Sequence, residues 1–239
     1  MGGKWQVTDL EGDVAAGEWI RNAVWPFGRG IGWLVPPVFE AYRRVLHPAY
    51  GVGVDFARWR DVAAYTGAVM HPTVEWGSIL EAGVRSGRGI GDQVVWGDSP
   101  RTGDLEPSHR QALAAVLAAF TTTPEDCWFG VWEGQSFHGV DQNGPRLVLP
   151  GRNHLLFHGR VADAGKAFQG HGPSIWWPAD RAWLAATDVD LKATYLGSSI
   201  ECARAVDRAP ALEVLETTVD RSVTWDSDTI NPLPSNPFQ

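Results

Sequence analysis

Cys127-Trp128-Phe129-Gly130-Val131-Trp132-Glu133 is the stretch on which the fold turns. Side chains alternate along a strand, so Trp128 and Trp132 share one side while Phe129 and Val131 share the other. Both sides are apolar, which places 127–133 at the centre of a sheet covered by a packed layer on each face. The neighbouring sequence agrees with that reading. Residues 146–149 and 153–158 read as short strands about the Pro150-Gly151 turn. Residues 182–188 and 193–196 pair as a hairpin across the corner Asp188-Val189-Asp190-Leu191-Lys192, and 212–217 is a last strand.

Other stretches carry helical spacing. Trp59, Val62, Ala63 and Tyr65 make an apolar stripe after Asp55, read as an N-cap, and before Gly67. A short helix is expected over 76–82. A clearer one runs over 109–120, with Leu113, Val116, Leu117 and Phe120 in register behind a Ser108 cap. Gly197 and Ser198 introduce a helix reaching about Val206. Residues 18–25 alternate weakly up to Pro26 and read as a strand, whereas 38–46 fits either state. Helices and strands mix without βαβ alternation, so the expected class is α+β, a largely antiparallel sheet with a few flanking helices. The chain reads as one domain over 1–239. The alternative is two sub-halves, about 1–103 and 104–232, joined by a Gly/Pro/Asp-rich loop at 83–107, and residues 232–239 read as a frayed tail.

Composition narrows the function. The 239 residues carry a formal net charge of -8. An acidic surface repels phosphate backbones and anionic lipid, so neither nucleic acid nor a membrane is expected as partner. Basic residues form no run, and Arg43-Arg44 and Arg58-Trp59-Arg60 read as solvated edges. No apolar run is long enough to span a bilayer, and the N-terminus has no apolar signal core, which predicts a cytoplasmic location. The two cysteines, Cys127 and Cys202, sit in apolar surroundings and read as buried thiols.

The familiar chemical motifs are missing. Gly-Arg-Gly-Ile-Gly occurs at 28–32 and 87–91, but neither copy opens a helix that could receive a pyrophosphate, so both read as turns. His154 and His158 stand four apart in a strand, about 13 Å, too far for one zinc ion. No metal and no cofactor are expected. Asp188 and Asp190 could act as paired carboxylates, against a simpler reading as a self-capped corner.

What stands out is the tryptophan content, thirteen residues. Most must lie in the core. Each buried indole N–H needs an acceptor, and that many are hard to satisfy internally, so some are expected at a ligand or a wet interface. Trp176-Trp177-Pro178-Ala179-Asp180-Arg181 is the best candidate, because adjacent side chains on an extended chain point to opposite sides. One tryptophan can then join the core while the other faces out. The expected ligand-binding set is Trp132, Glu133, Trp176, Trp177, Arg181 and Asp188.

The strings Val35-Pro36-Pro37-Val38-Phe39-Glu40-Ala41-Tyr42, Cys127 to Gly134, Leu149-Pro150-Gly151-Arg152, Trp176 to Trp183 and Thr194-Tyr195-Leu196-Gly197 resemble a family of actinobacterial hypothetical proteins over most of the chain. The resemblance implies a bacterial, cytoplasmic origin and brings no activity with it. The function expected from the residues is therefore a non-enzymatic binding or interaction protein, regulatory or immunity-type, whose partner is another protein or a small ligand. The alternative is a hydrolase-type enzyme with a carboxylate or histidine site near Trp176-Trp177.

Overall fold

The computed structural model describes residues 3–88 and 95–235. Among these residues, eight strands form one sheet: β1 (Ala41–Leu46), β2 (Cys127–Trp132), β3 (Leu147–Leu149), β4 (Arg152–Gly159), β5 (Ile175–Pro178), β6 (Leu184–Ala186), β7 (Ala193–Ser198) and β8 (Val214–Thr217). Their order is β8-β1-β7-β6-β5-β2-β4-β3, and every neighbouring pair is antiparallel. The protein is α+β, as the sequence predicts. Two smaller sheets flank the large one. Lys4–Trp5 pairs with Ala167–Phe168, and Ala49–Gly51 lies between Phe56–Ala57 and Trp96–Asp98.

Among the described residues, five helices cover the sheet: α1 (Glu18–Ala23), α2 (Trp59–Thr66), α3 (Trp76–Arg85), α4 (Pro107–Leu117) and α5 (Ile200–Asp207). One core packs Ile20, Trp59, Val62, Trp76 and Ile79, from α1, α2 and α3, against Tyr42, Ile175, Trp177 and Tyr195 of the sheet. The other packs Leu113, Leu117, Cys202 and Val206, from α4 and α5, against Val45, Phe129, Trp176 and Leu196. The strand β2 is interior and divides its side chains between these two layers.

Several sequence expectations change. Residues 18–25 contain the helix α1 and no strand, because Ile20 turns into the core at helical spacing and the Val24 N–H donates to the Ile20 carbonyl (2.9 Å). Residues 38–46 resolve as β1. Asp55 does not cap α2. The carboxylate of Glu213, just before β8, accepts from the N–H groups of Trp59 (2.6 Å) and Arg60 (2.9 Å) instead. α4 starts at Pro107, where a proline lacks the N–H that would be orphaned there, and Ser108 lies inside it. Within 83–107, α3 continues to Arg85 and Trp96–Asp98 is a strand; most of the second Gly-Arg-Gly-Ile-Gly string lies outside the described residues.

Arg43 and Arg44 are not solvated edges. β1 is covered on both faces, so its alternating side chains enter different layers, and each guanidinium meets a carboxylate there. Arg43 forks onto Asp207 of α5 (2.7 and 2.9 Å), and Arg44 pairs with Glu75 at the start of α3 (2.8 Å). Cys127 and Cys202 are buried and free. Among the described residues, no helix is long and apolar enough to cross a membrane.

Candidate functional site

At one end of the sheet, the last residue of β2 lies opposite β4, with Trp132 paired to His154. β5 begins beside them after Ser174, and β6 ends at Ala186 and runs on into Thr187 and Asp188. A cleft of about 370 Å³, counting its open mouth, lies over these strand ends. His154, Ile175 and Ala186 line it from the sheet, Trp33 and Leu34 from the turn Ile31–Trp33, and Leu149 and Arg152 from the β3–β4 hairpin.

Local sequence explains this shape. A Cβ on Gly130 would fall 2.6 Å from Ile175 Cγ2 and 3.3 Å from His154 Cβ, so glycine here lets both side chains lie close over the middle of β2. Gly134 is overlaid by the Trp132 indole, which folds back along the chain. Gly151 adopts φ 72°, a left-handed turn position, and lies against the Phe27 ring.

Electrostatically the cleft is balanced. Arg152 forks onto the buried Asp188 (Nε 2.6 Å, Nη2 3.0 Å) and reaches Asp190 at 3.4 Å. Its guanidinium also lies over two aromatic rings, Phe27 at 4.9 Å and Trp132 at 5.3 Å. His154 is 5% exposed, and burial pushes its pKa down to about 4; Asp188 opposes that shift and Arg152 adds to it. The imidazole is neutral at ordinary pH. Among the described residues its buried Nδ1 has no hydrogen-bond partner, and neither has the buried Nε1 of Trp33. Ser174 Oγ accepts from the Trp132 N–H (3.2 Å), which leaves its own hydrogen available to the cleft.

Of the six residues expected to bind ligand, the cleft brings together Trp132 and Asp188. Glu133 follows Trp132 but turns away from the cleft to accept from Arg146 Nε and Asn153 Nδ2, both at 2.6 Å. Burial would raise its pKa, and these partners outweigh burial and hold it below the usual glutamate value. Trp176 and Trp177 are both 1% exposed, so neither faces out. They do point to opposite sides, but each side of β5 is a core. Arg181 is exposed in the turn after β5, at φ 59°, with its guanidinium 5.4 Å from the Trp19 ring. It does not line the cleft.

The unpaired indole N–H groups belong to other tryptophans. Trp59 donates to the His47 carbonyl (2.7 Å), Trp76 to Ser99 Oγ (3.2 Å) and Trp183 to the Leu117 carbonyl (3.0 Å). Trp5, Trp19 and Trp33 are the buried indoles without an acceptor among the described residues. Only the last borders the cleft. Sequence reasoning missed Trp33, Arg152 and Ser174 and weighed His154 only as a zinc ligand; the four meet through strand register and packing and share no local motif. Comparison of the chain with protein-family models, curated proteins and solved structures found no match.

Proposed function

We propose that the cleft beside Trp132 and His154 binds a small, uncharged, largely flat molecule, and that the protein is a ligand-binding protein without chemistry of its own. The observation that carries this reading is the pair of orphaned polar atoms, Trp33 Nε1 and His154 Nδ1, on residues bordering one aromatic-walled cleft. A buried polar group without a partner is unfavourable by about 1–3 kcal/mol, which a ligand's hydroxyl or amide would relieve. Arg152 and Asp188 neutralise one another and the imidazole is uncharged, which favours a neutral ligand over an ion.

Saturation-transfer NMR with benzamide and phenol tests this. Wild-type protein should give transfer from both, and His154→Leu should weaken benzamide roughly tenfold, the loss of one buried hydrogen bond. Failure of both probes to bind, or binding indifferent to His154→Leu, removes the proposal. The hydrolytic alternative draws on the same cleft, where Ser174, His154 and Asp188 all stand. Among the described residues, however, the His154 ring hydrogen-bonds neither of the other two, and Asp188 is held by Arg152. Turnover of p-nitrophenyl acetate abolished by Ser174→Ala would favour that alternative instead.

A further inference from the structure

A second cavity, of about 580 Å³, lies between the start of β7, the start of α3 and the segment leading to the C-terminus. Its polar wall consists of Arg44, Glu75, Asp190, Lys192 and Tyr195, and its apolar wall includes Trp76, Trp225 and Pro234. Arg44 is 3% exposed, and its Nη atoms are committed to the Val74 carbonyl (2.7 Å) and to Glu75 (2.8 Å). Its Nε is buried and has no partner among the described residues. Lys192 is half-buried and in no ion pair among the described residues. The Tyr195 ring is buried, and its hydroxyl makes no hydrogen bond among the described residues. Burial drives the phenol pKa up to about 12, so the group remains a donor at physiological pH. Trp225 is 48% exposed.

Two donors, Lys192 Nζ and the Tyr195 hydroxyl, therefore belong to the lining of one cavity and have no acceptor among the described residues, and the Nε of Arg44, a residue of the same lining, is buried without one. Arg44 is already balanced by Glu75, and Asp190, 78% exposed at the mouth, pairs with Arg152 (3.4 Å), so Lys192 is the positive charge of this lining left without a partner among the described residues. A monoanion matches that charge; a dianion would be repelled by the Glu75 carboxylate. The half-exposed indole of Trp225 offers a flat apolar face alongside.

We propose that this cavity is a binding site for a small aromatic monocarboxylate, its carboxylate received by Lys192 and Tyr195 and its ring lying against Trp225. The site is separate from the cleft beside His154 and does not depend on that reading.

Isothermal titration with benzoate at constant ionic strength is the direct test, with benzamide as the uncharged isostere and phenyl phosphate as the dianion. Benzoate should bind to the wild type and to His154→Leu alike, and Lys192→Met should weaken it by about tenfold, as expected for loss of a charge-assisted contact. Lys192→Arg should retain binding, and Tyr195→Phe should show an intermediate loss. NMR of the Lys192 side chain in unsubstituted protein gives a second readout, because a bound carboxylate must raise the lysine pKa. No heat from benzoate, equal affinity in Lys192→Met, tighter binding of phenyl phosphate, or an unmoved lysine pKa would each overturn the assignment.

Discussion

At the residue scale, two buried histidines tie stability to pH. His47 is fully enclosed; its Nδ1–H donates to the Arg101 carbonyl (2.7 Å), so its Nε2 accepts from the Thr194 hydroxyl (2.9 Å). That arrangement needs a neutral ring, and burial pushes the pKa down to about 3. His154 is pushed to about 4 for the same reason, without such partners. In the unfolded chain both titrate near 6.5, so below that pH unfolding takes up a proton at each ring. Their contribution is full above about 6.5 and falls with pH by about 1.4 kcal/mol per unit for each ring, until the folded pKa is reached. Urea titrations between about pH 6.5 and 4.5 should show a slope smaller by about one proton in His154→Leu than in the wild type. Equal slopes would mean that the imidazole is not held neutral.

At the element scale, β5 shows what a covered strand does with adjacent tryptophans. Trp176 stacks beside Phe129 and meets Trp183 edge-on in one core, while Trp177 is enclosed in the other. Replacing either with alanine should lower the unfolding free energy by about 3–5 kcal/mol, read from denaturant midpoints. A loss below about 1 kcal/mol for Trp177→Ala would contradict its enclosure. The period-two pattern at 127–133, the hairpin across 188–192 and the stripes of α2 and α4 were legible in the sequence, since each is a local signal. α1 was misread because six residues show too little of any period. The cap on α2 was illegible for another reason: Glu213 supplies it from a remote part of the chain. The cleft shares that limit. Trp132 and Asp188 carry visible chemistry, whereas Trp33 and His154 gain significance only when register and packing put them together.

At the scale of the whole molecule, a clasp fastens the C-terminal segment to α3. Asp228 is buried and accepts from the N–H groups of Ile230 (3.0 Å), Asn231 (2.8 Å) and Glu75 (3.3 Å), from Asn231 Nδ2 (2.9 Å) and from His71 Nε2 (2.8 Å). Burial would raise its pKa; the bonds from Asn231, Ile230 and Glu75 prevail and hold it below the usual aspartate value. The clasp is therefore at full strength above about pH 3.9 and loosens as acid protonates the carboxylate at a lower pH. Asp228→Ala strands several buried donors and should cost about 3 kcal/mol or more. Limited proteolysis should then cut the variant within 218–235 at neutral pH while sparing the wild type. Equal resistance would show that the segment is held in place without Asp228.

β1 lies between β7 and β8, so a strand made early is held by two strands made more than a hundred residues later. While the chain is being synthesised, 41–46 leaves the ribosome long before its neighbours exist. An uncharged strand in that position would be free to pair with any exposed edge it met. Arg43 and Arg44, which lock the finished sheet to α5 and α3, are charged throughout that wait and oppose premature pairing. The same two guanidinium groups thus act as guards on the nascent chain before they act as bolts in the folded one.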